Sequence, residues 1–457
     1  MDQAKLKIII ETQFNFFASH RTRNVTFRIE ALKKLKNALI NFEKELMQAL
    51  WADLHKSNFE SYSHELGQVL KEIDFHLRHL KRWSKPQKVA SPLAILPSRS
   101  RIYHEPYGNV LIISPWNYPI LLLIDPLIGA ISAGNTVVLK PSPYLKEYSR
   151  VIELMMNKTF PKKYIAVATG GREVNQLLLK HRWDYIFFTG SPALGKVVMK
   201  AAAEFLTPLT LELGGKSPCI VDEDANLKLA ARRIVWGKFI NGGQTCIAPD
   251  YLFVHEKIKD ELLRLMKIEL VLFYGEKPEE SPDFCRIVNK AAFERLLEYL
   301  KEGNIVVGGN YNENELFIAP TIIDHVESDF AIMQEEIFGP VLPVMTFSEL
   351  QRALDYVDYC EKPLAFYYFT NNLVKARKVI DQTTSGGGCI NDTILHIANF
   401  RLPFGGVGNS GMGKYHGKLS FDTFSNQRSM VFSSRWLDIP LKYPPYGNKL
   451  KWIKKIL

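Results

Sequence analysis

The chain has 457 residues, 46% of them hydrophobic and 23% charged, which is the composition of a globular protein large enough for two or three domains. The five cysteines are odd in number, widely spread and without a CxxC pair, which argues against a disulfide framework or a structural zinc site and predicts a reducing, cytoplasmic location. The net charge of +10 is modest for this length, and because basic and acidic residues mix along most of the chain it predicts no nucleic-acid partner.

Residues 1–83 are predicted to form helices, because apolar residues recur every three to four positions and give each helix one apolar face. The two clearest sets are Ala31, Leu32, Leu35, Ala38, Leu39, Phe42 and Leu46, followed by Leu66, Val69, Leu70, Ile73, Leu77 and Leu80. The next segment, 84–106, is rich in proline, serine and arginine, and we expect it to leave the core as an extended excursion.

The stretch 110–132 is long and apolar enough to imitate a membrane-spanning helix, and Asp125 is its only charge. Three prolines interrupt it, at Pro115, Pro119 and Pro126. Proline disrupts helices because it lacks an N–H and clashes with the preceding turn. We therefore predict a buried strand, a loop and a packed helix in place of a membrane span.

From residue 107 onward, short apolar runs alternate with helical segments, which predicts a parallel sheet with helices on its faces. The runs read VLIIS, TVVLK, YIAVAT, YIFFTG and LTLEL. Sheets of this kind bind ligands in the crevice beyond the carboxyl ends of their strands. Asn117, Lys140, Gly190 and Glu212 follow or end these runs, so we expect them near a ligand site.

A second alternating section begins near residue 217 and predicts a second α/β domain with Cys246 near its start. After it, SMVFSS is a candidate edge strand. The tail 441–457 contains five lysines and no acids between apolar residues, which predicts a short amphipathic helix. We expect this helix to dock on its own domain or on a partner subunit, and a weak contact with an anionic membrane surface is the alternative.

The sequence FTGSPALG at 188–195 follows an apolar strand and opens a helix. A helix N-terminus offers free N–H groups and a partial positive charge, which suit a pyrophosphate beside Gly190, Ser191 and Gly195. The spacing is GxxxxG, and a plain strand-to-helix turn explains it equally well. The literal GxGxxG match, in PFGGVGNSGMG at 403–413, has no strand leading into it and is treated as a glycine-rich loop.

The sequence GGQTC at 242–246 places the Cys246 thiol behind two glycines. A free cysteine is more often a small buried hydrophobe than a nucleophile. Glu212 ends an apolar strand about 20 residues after Gly190, which fits a ribose ligand, although it could equally act as a general base near Cys246. Asn117, in PWNYP, could donate to an oxyanion or satisfy its own turn.

Further polar residues end strands or follow them. Lys140, in LKPS, could reach a ribose or a phosphate, and EEIFGP at 335–340 offers Glu336 to a ribose and Phe338 to a ring face. The eleven histidines form no HxxxH or HExxH pair, so no metal site is expected.

Taken in order, the motifs PWN, LKPS, FTGS, LELGGK, GGQTC, EEIFGP and PFGG resemble those of the aldehyde dehydrogenase superfamily, most closely its class 3 or fatty aldehyde dehydrogenase branch. The resemblance covers nearly the whole chain and implies a homodimer. It also implies a Rossmann-like dinucleotide-binding domain, a catalytic domain, a small β extension for oligomerisation and a basic tail. The dinucleotide-binding domain would comprise 1–87 and 107–211, and the catalytic domain 212–405. The β extension would comprise 88–106 and 427–440, and the tail 441–457.

The resemblance implies roles for individual residues. Cys246 would attack the aldehyde as a thiolate, the Asn117 amide and the Cys246 backbone N–H would hold the oxyanion, and Glu212 would activate the water that hydrolyses the thioester. This role replaces the ribose assignment of Glu212. The expected contacts with NAD or NADP come from Lys140, Gly190, Ser191, Gly195, Glu336, Phe338 and Trp116.

One position departs from the family pattern. Members restricted to NAD commonly carry a glutamate three residues after the strand-end lysine, where this chain has Pro143. Without that carboxylate a 2′-phosphate meets less repulsion and Lys140 could pair with it, so we expect NADP to be accepted.

The expected substrate is an apolar medium-chain, long-chain or aromatic aldehyde. The principal alternative is a thiol hydrolase or acyltransferase that uses Cys246 without a cofactor, which would need a histidine base near the thiol. A coenzyme A-acylating enzyme and a non-catalytic protein on the same fold are further alternatives. Glu212 favours water as the acyl acceptor.

Overall fold

The structure is a computed structural model that describes residues 1–456. Its α-helices are α1 (Gln3–Ala18), α2 (Val25–Asn41), α3 (Glu43–Leu54), α4 (Asn58–Ser61), α5 (Gly67–Trp83), α6 (Pro119–Ala133), α7 (Lys146–Thr159), α8 (Arg172–Leu179), α9 (Pro192–Ala203), α10 (Leu227–Phe239), α11 (Lys259–Tyr274), α12 (Lys290–Tyr299), α13 (Ala331–Gln334), α14 (Leu350–Tyr359), α15 (Leu373–Gln382), α16 (Lys418–Thr423) and α17 (Leu450–Ile456).

The strands are shorter and most of them lie between these helices. They are β1 (Gln87–Val89), β2 (Ser98–Pro106), β3 (Asn109–Ile113), β4 (Thr136–Lys140), β5 (Ile165–Val167), β6 (Tyr185–Gly190), β7 (Leu209–Leu213), β8 (Pro218–Val221), β9 (Tyr251–His255), β10 (Asn304–Val307), β11 (Tyr311–Asn312), β12 (Phe317–Ile318), β13 (Thr321–Asp324), β14 (Val341–Phe347), β15 (Ala365–Phe369), β16 (Gly387–Ile390), β17 (Gly411–Met412) and β18 (Ser425–Ser433).

The first sheet has the order β17-β7-β6-β3-β4-β5, and all of its strands are parallel except β17. Successive residues of β3 face opposite sides, as the strand period requires. Leu111 packs in one cluster with Leu6 of α1, whereas Val110 and Ile112 pack in another with residues of α6 such as Leu127. The predicted parallel sheet with helices on its faces is therefore confirmed.

The second sheet has the order β10-β13-β14-β9-β8-β15-β16 and is parallel apart from β10. It contains the strands predicted after residue 217. Glu212 belongs to β7 and therefore to the first sheet, and the first strand of the second sheet along the chain, β8, begins at Pro218. The glycine-rich loop also returns to the first sheet, since Gly411 of β17 pairs with Glu212.

A three-stranded antiparallel sheet, β1-β2-β18, stands apart from the two parallel ones. The strand β18 ends at Ser433 and contains all but the last residue of SMVFSS, so residues 434–440, which were predicted together with it, lie outside any strand. In the tail beyond, Leu450 and Trp452 of α17 have exposed side chains. Its helix is therefore not covered by its own domain at these positions.

The apolar stretch 110–132 contains β3 and α6, and every residue of α6 is buried, including Asp125. Pro119 occupies the first turn of the helix, where a missing N–H costs little, and Pro126 lies inside it. The prediction of a strand, a loop and a packed helix is confirmed. Within residues 1–456, no helix combines the length and the apolar character that crossing a membrane requires.

Candidate active site

Cys246 stands on a loop that follows α10 and turns through the left-handed backbone region. Asn241, Gly242 and Gly243 have φ angles of 52°, 60° and 73°. A side chain on Gly243 would collide with the backbone oxygen of Gly339, so the glycine allows this loop to pack directly against the segment that follows EEIF. The thiol at the end of the loop is partly exposed.

Asn117 is bonded to the same loop. Its Nδ2 donates to the backbone oxygen of Gln244 over 3.0 Å, and Asn241 Nδ2 donates back to the backbone oxygen of Asn117 over 2.9 Å. The hydroxyls of Tyr118 and Thr245 are 2.7 Å apart. These bonds hold the side-chain amide of Asn117 against the backbone of Gln244, which is two residues before Cys246. One N–H of that amide is used by Gln244, which leaves the second available for a ligand.

A buried ion pair supports Asn117 from behind. Lys56 Nζ lies 2.5 Å from Glu65 Oε1, both side chains are fully buried, and the ammonium also donates to the backbone oxygen of Asn117 over 3.1 Å. Glu65 Oε2 accepts from the backbone N–H of Ile120 over 2.8 Å and of Leu121 over 3.3 Å. The carboxylate thus caps the first turn of α6, where N–H groups have no partner within the helix.

Glu212 is 2% exposed, and neither of its carboxylate oxygens has a hydrogen-bond partner. Burial raises the pKa of this carboxyl well above its ordinary value, and the Lys414 ammonium acts in the opposite direction. A charged form without hydrogen bonds is costly in such surroundings. In its ionised form, this carboxyl has both oxygens free to accept a proton from a ligand or a water.

The Cys246 thiol is held in its neutral form. Burial raises its pKa, and the negative charges of Glu336 and Glu212 raise it further. Glu336 had been predicted only as a cofactor contact, and its influence on the thiol was not predicted. Both carboxylates therefore lie within electrostatic reach of the sulfur.

Glu336 and Phe338 lie on the EEIFGP loop. A side chain on Gly214 would collide with the Glu336 carboxylate, whose Oε1 is buried without a hydrogen-bond partner. Burial and the charge of Asp250 raise the pKa of Glu336 to about 8. The ring of Phe338 meets that of Trp116 edge-on with centroids 5.4 Å apart, so both predicted ring contacts stand side by side.

A second set of polar residues fastens this loop, and sequence reasoning did not predict it. Lys216 Nζ lies 2.5 Å from Asp250 Oδ2, and Asp250 Oδ1 accepts from the backbone N–H of Ile337 over 3.0 Å. Arg295 donates to the backbone oxygens of Glu336 over 3.3 Å and Ile337 over 2.7 Å. These bonds to the backbone of Glu336 and Ile337 therefore fix the position of Glu336.

Lys140 ends β4, is 1% exposed and donates to the backbone oxygen of Pro141 over 2.8 Å. Burial lowers its pKa to about 8, and the charge of Glu173 opposes that shift. Glu173 itself accepts from the backbone N–H of Gly171 over 2.8 Å. An exposed carboxylate therefore stands in reach of Lys140 although Pro143 supplies none.

Gly190 ends β6, and Ser191 is the N-cap of α9, whose Oγ accepts from the backbone N–H of Leu194 over 3.4 Å. The opening turn of α9 therefore follows directly after the carboxyl end of β6. Gly195 has a packing role, since a Cβ there would stand 2.7 Å from Leu213 Cδ2. It brings α9 close to the first sheet.

The residues fit a dinucleotide in three respects. The first turn of α9 offers N–H groups, Lys140 is a buried cation at a strand end, and Glu336 keeps an oxygen without a partner. Among the described residues no cluster of three or more histidine, cysteine, aspartate or glutamate side chains could hold a metal ion.

The histidine base that a cofactor-free thiol hydrolase needs does not bond Cys246 within the described chain. The contact between a thiol and a histidine that the structure does contain joins Cys389 Sγ to His396 Nδ1 over 3.6 Å. The alternative function therefore lacks its central requirement.

The profile of the aldehyde dehydrogenase family matches residues 1–430. The 4,4′-diaponeurosporen-aldehyde dehydrogenase of Staphylococcus aureus is 49% identical over 98% of both chains, and aldehyde dehydrogenase family 3 member B1 of Rattus norvegicus is 44% identical over 95% of this chain and 93% of its own length.

Solved structures agree with these relatives. The substrate-bound state of Staphylococcus aureus AldH superposes with a TM-score of 0.97 at 48% identity and covers 98% of this chain and 99% of its own. An indole-3-acetaldehyde dehydrogenase in complex with NAD+ has a TM-score of 0.87 at 27% identity and covers 95% of this chain and 90% of its own.

Proposed function

Since the chain belongs to the aldehyde dehydrogenase family and is an NAD(P)-dependent enzyme that oxidises an aldehyde to the carboxylic acid, we propose that Cys246, Asn117 and Glu212 divide this chemistry among them. One observation carries the assignment. The loop that bears the Cys246 thiol accepts a hydrogen bond from Asn117. The carboxyl of Glu212, whose oxygens have no hydrogen-bond partner, raises the pKa of the same thiol.

Cys246 is proposed as the nucleophile. Once the S–H proton has passed to water, the thiolate attacks the carbonyl carbon of the aldehyde; the S–C bond forms as the C=O π bond breaks, and the carbonyl oxygen becomes an oxyanion. The free N–H of the Asn117 amide and the backbone N–H of Cys246 then stabilise that charge, because both groups are fixed before the reaction starts. When bound, the dinucleotide supplies the hydride acceptor that turns the adduct into a thioester on Cys246.

Glu212 is proposed as the general base of the second half-reaction. Its carboxylate takes a proton from a water molecule while that water attacks the thioester carbon, and the thiolate of Cys246 leaves. The acid product and the free enzyme result. The raised pKa of Glu212 makes it a stronger base than an exposed glutamate, provided that it has lost its own proton.

The broad test is a panel of aldehydes with and without each dinucleotide, followed by the absorbance of the reduced cofactor at about 340 nm. Oxidation that needs both a dinucleotide and Cys246 supports the proposal. Release of an acyl group from a thioester or ester by the enzyme alone, without any aldehyde oxidation, would support the hydrolase instead.

The substitution Glu212→Gln separates the two half-reactions. We expect one burst of reduced cofactor per active site, because attack and oxidation precede the step that needs the base, and then a collapse of turnover by about 10²–10⁴-fold. Stopped-flow absorbance measures both. Glu204→Gln, an exposed glutamate on the same domain, should keep full turnover. A variant with weak cofactor binding and no burst would return Glu212 to the ribose role.

Acceptance of NADP as well as NAD is also proposed. Its support is Pro143, which places no carboxylate where NAD-restricted members have one, together with the nearby cation Lys140. Glu173 is the remaining negative charge in reach of Lys140. The values of kcat/KM for the two cofactors decide the point, and Glu173→Gln should improve the value for NADP relative to NAD. An enzyme that uses NADP about a thousandfold less well than NAD would contradict it.

The proposed substrate is an apolar medium-chain, long-chain or aromatic aldehyde. The Staphylococcus aureus relative, which is 49% identical, is named for 4,4′-diaponeurosporen-aldehyde. A series of straight-chain and aromatic aldehydes compared by kcat/KM tests the class, and a preference for short polar aldehydes would contradict it.

The quaternary arrangement is proposed from the third sheet and the tail. The outer edge of β18 is available for a second copy, since β2 is its one partner in the described chain, and we propose a cytoplasmic homodimer. The exposed tail then covers the partner subunit or makes a weak contact with an anionic membrane. Removal of residues 441–457, followed by co-sedimentation with anionic vesicles and by light scattering, distinguishes these two roles.

A further inference from the structure

The carboxyl of Glu212 faces a lysine that none of the roles above uses. Lys414 follows β17, is partly exposed, and its charge is the one that favours the ionised form of Glu212. Glu212 is 2% exposed with two unpartnered oxygens. A buried carboxyl without hydrogen bonds loses its proton readily only if something nearby stabilises the charge.

A glycine lets these two side chains approach each other. The ideal Cβ position of Gly405 lies 2.7 Å from Glu212 Oε1, 3.0 Å from Lys414 Cδ and 2.5 Å from the backbone oxygen of Gly413. Gly405 has a φ of 151°, in the region that favours glycine. Any larger residue would fill the space between the carboxylate and the lysine stem.

The lysine is held in place at both ends. Its Nζ donates to the backbone oxygen of Gly386 over 3.1 Å and to that of Gly405, and its own backbone oxygen accepts from Thr423 Oγ1 over 2.6 Å. Two of the three ammonium N–H groups are therefore used by neutral carbonyls. Within residues 1–456 no ion pair of 4.0 Å or less joins Lys414 to Glu212.

Other titratable groups face Glu212 from the elements packed against it. Cys246 comes from the loop after α10, and Tyr415, whose hydroxyl is buried without a partner, follows Lys414 directly. The pKa values of both groups are raised, so both are neutral near neutral pH. Neither supplies positive charge, and Lys414 remains the cation in reach of the carboxyl.

We propose that Lys414 is a positioning residue that keeps Glu212 ionised during deacylation, acting as a fixed charge that leaves both carboxylate oxygens free for water. The inference rests on the proposed role of Glu212 as the base. A direct ion pair would occupy an oxygen that the reaction needs. An ammonium bonded to two backbone carbonyls supplies the field without that competition.

The sign of the effect follows from the charges. A nearby cation stabilises the carboxylate and lowers the pKa of Glu212, whereas burial raises it. Loss of the cation must therefore raise that pKa, so the limb of the pH profile on which kcat rises should move to higher pH. A shift of about one pH unit is expected for a charge at this range.

The test compares Lys414→Gln with Lys414→Arg. Glutamine keeps donors for the carbonyls of Gly386 and Gly405 but has no charge, and arginine keeps the charge. We expect the pH profile of kcat for the glutamine variant to shift by about one pH unit to the alkaline side. The profile for the arginine variant should stay near that of the parent. The first burst of reduced cofactor should remain in both, because acylation precedes the step that uses Glu212.

A measurement without the cofactor excludes altered dinucleotide binding as the cause of the shift. Acylation of Cys246 by p-nitrophenyl acetate, followed by hydrolysis of the acyl-enzyme, reports the base step alone, and it should show the same shift. A glutamine variant with the parental pH midpoint would overturn the role of Lys414, whatever its absolute rate. If Glu212→Gln also kept full turnover, the failure would lie in the proposed function and not in the lysine.

Discussion

Two carboxyl groups oppose the ionisation of Cys246. The charges of Glu336 and Glu212 both raise the pKa of its thiol, as burial does, so the thiol is neutral near neutral pH. A thiol that stays neutral reacts slowly with oxidants and alkylating agents, since the thiolate is the reactive form. The thiol of Cys246 therefore becomes reactive only when it loses its proton.

This protection is testable at the residue scale with Glu336→Gln and no cofactor. Because the pKa of Glu336 is about 8, its charge opposes the thiolate only above that pH. We expect iodoacetamide to alkylate Cys246 of the variant up to about tenfold faster near pH 10, with equal rates for variant and parent near pH 6. Peptide mass analysis resolves Cys246 from the other four cysteines.

Glu276→Gln, at an exposed glutamate of the same domain, is the matched control and should alkylate at the parental rate at every pH. Equal rates for Glu336→Gln and the parent across the whole range would show that the carboxylate does not reach the sulfur.

Candidate site residues could be chosen from the sequence where a short motif contains a chemically reactive or polar side chain. Cys246 and Asn117 stand in such motifs, and their loops are bonded to each other. Spacing alone left Glu212 between a ribose ligand and a base, because chain distance does not show which cavity a side chain faces. Lys56 and Lys414 were missed, since each acts on a partner that is remote in the sequence.

At the scale of elements, the N-terminus of α6 connects the fold to the Asn117 amide that is proposed to hold the oxyanion. Glu65 caps the helix, Lys56 neutralises Glu65, and the same lysine bonds the backbone oxygen of Asn117. The buried pair is expensive to desolvate, so its presence here points to positioning and not to stability alone.

The substitution Lys56→Met should expose that role. It leaves the Glu65 carboxylate buried without a countercharge, which is expected to cost about 3–5 kcal/mol in the free energy of unfolding, and it removes one bond from Asn117. Urea unfolding and kcat measure the two effects. The double variant Lys56→Met with Glu65→Gln should regain most of the stability, because no buried charge remains, but not the full kcat. Parental stability of Lys56→Met would refute the account.

The alternation of short apolar runs with helical segments predicted both parallel sheets, because buried parallel strands need apolar residues on both faces. The pattern could not predict β17, which has two residues and joins the first sheet through Gly411 opposite Glu212. It also placed residues 434–440 with a strand that ends at Ser433. Short pairings and strand ends depend on tertiary contacts that periodicity does not contain.

At the scale of the whole molecule, the outer edge of β18 has no strand partner in the described chain. Its residues Met430, Val431 and Phe432 are 38%, 53% and 47% exposed, and a long strand with a free edge is a template for pairing with another chain. The third sheet is therefore the surface on which the proposed dimer depends.

Light scattering after size-exclusion chromatography tests this. We expect the parent to have twice the 52.3 kDa mass of one chain, and the variant with Val431→Lys and Phe432→Lys to be monomeric, because charge on an edge strand opposes pairing. Tyr359→Lys, a substitution of an exposed aromatic residue at the end of α14, should leave the dimer intact. A dimer that survives both lysines would place the interface elsewhere.

The most direct measurement examines the sulfur of Cys246 during the reaction. The Glu212→Gln enzyme is mixed with an aldehyde and the dinucleotide, quenched with acid, digested and analysed by mass. The peptide with Cys246 should gain the mass of the aldehyde less two hydrogens, in amounts that match the reduced cofactor, because an S–H bond and a C–H bond are exchanged for one S–C bond. An unmodified Cys246 peptide beside a full burst of reduced cofactor would contradict it.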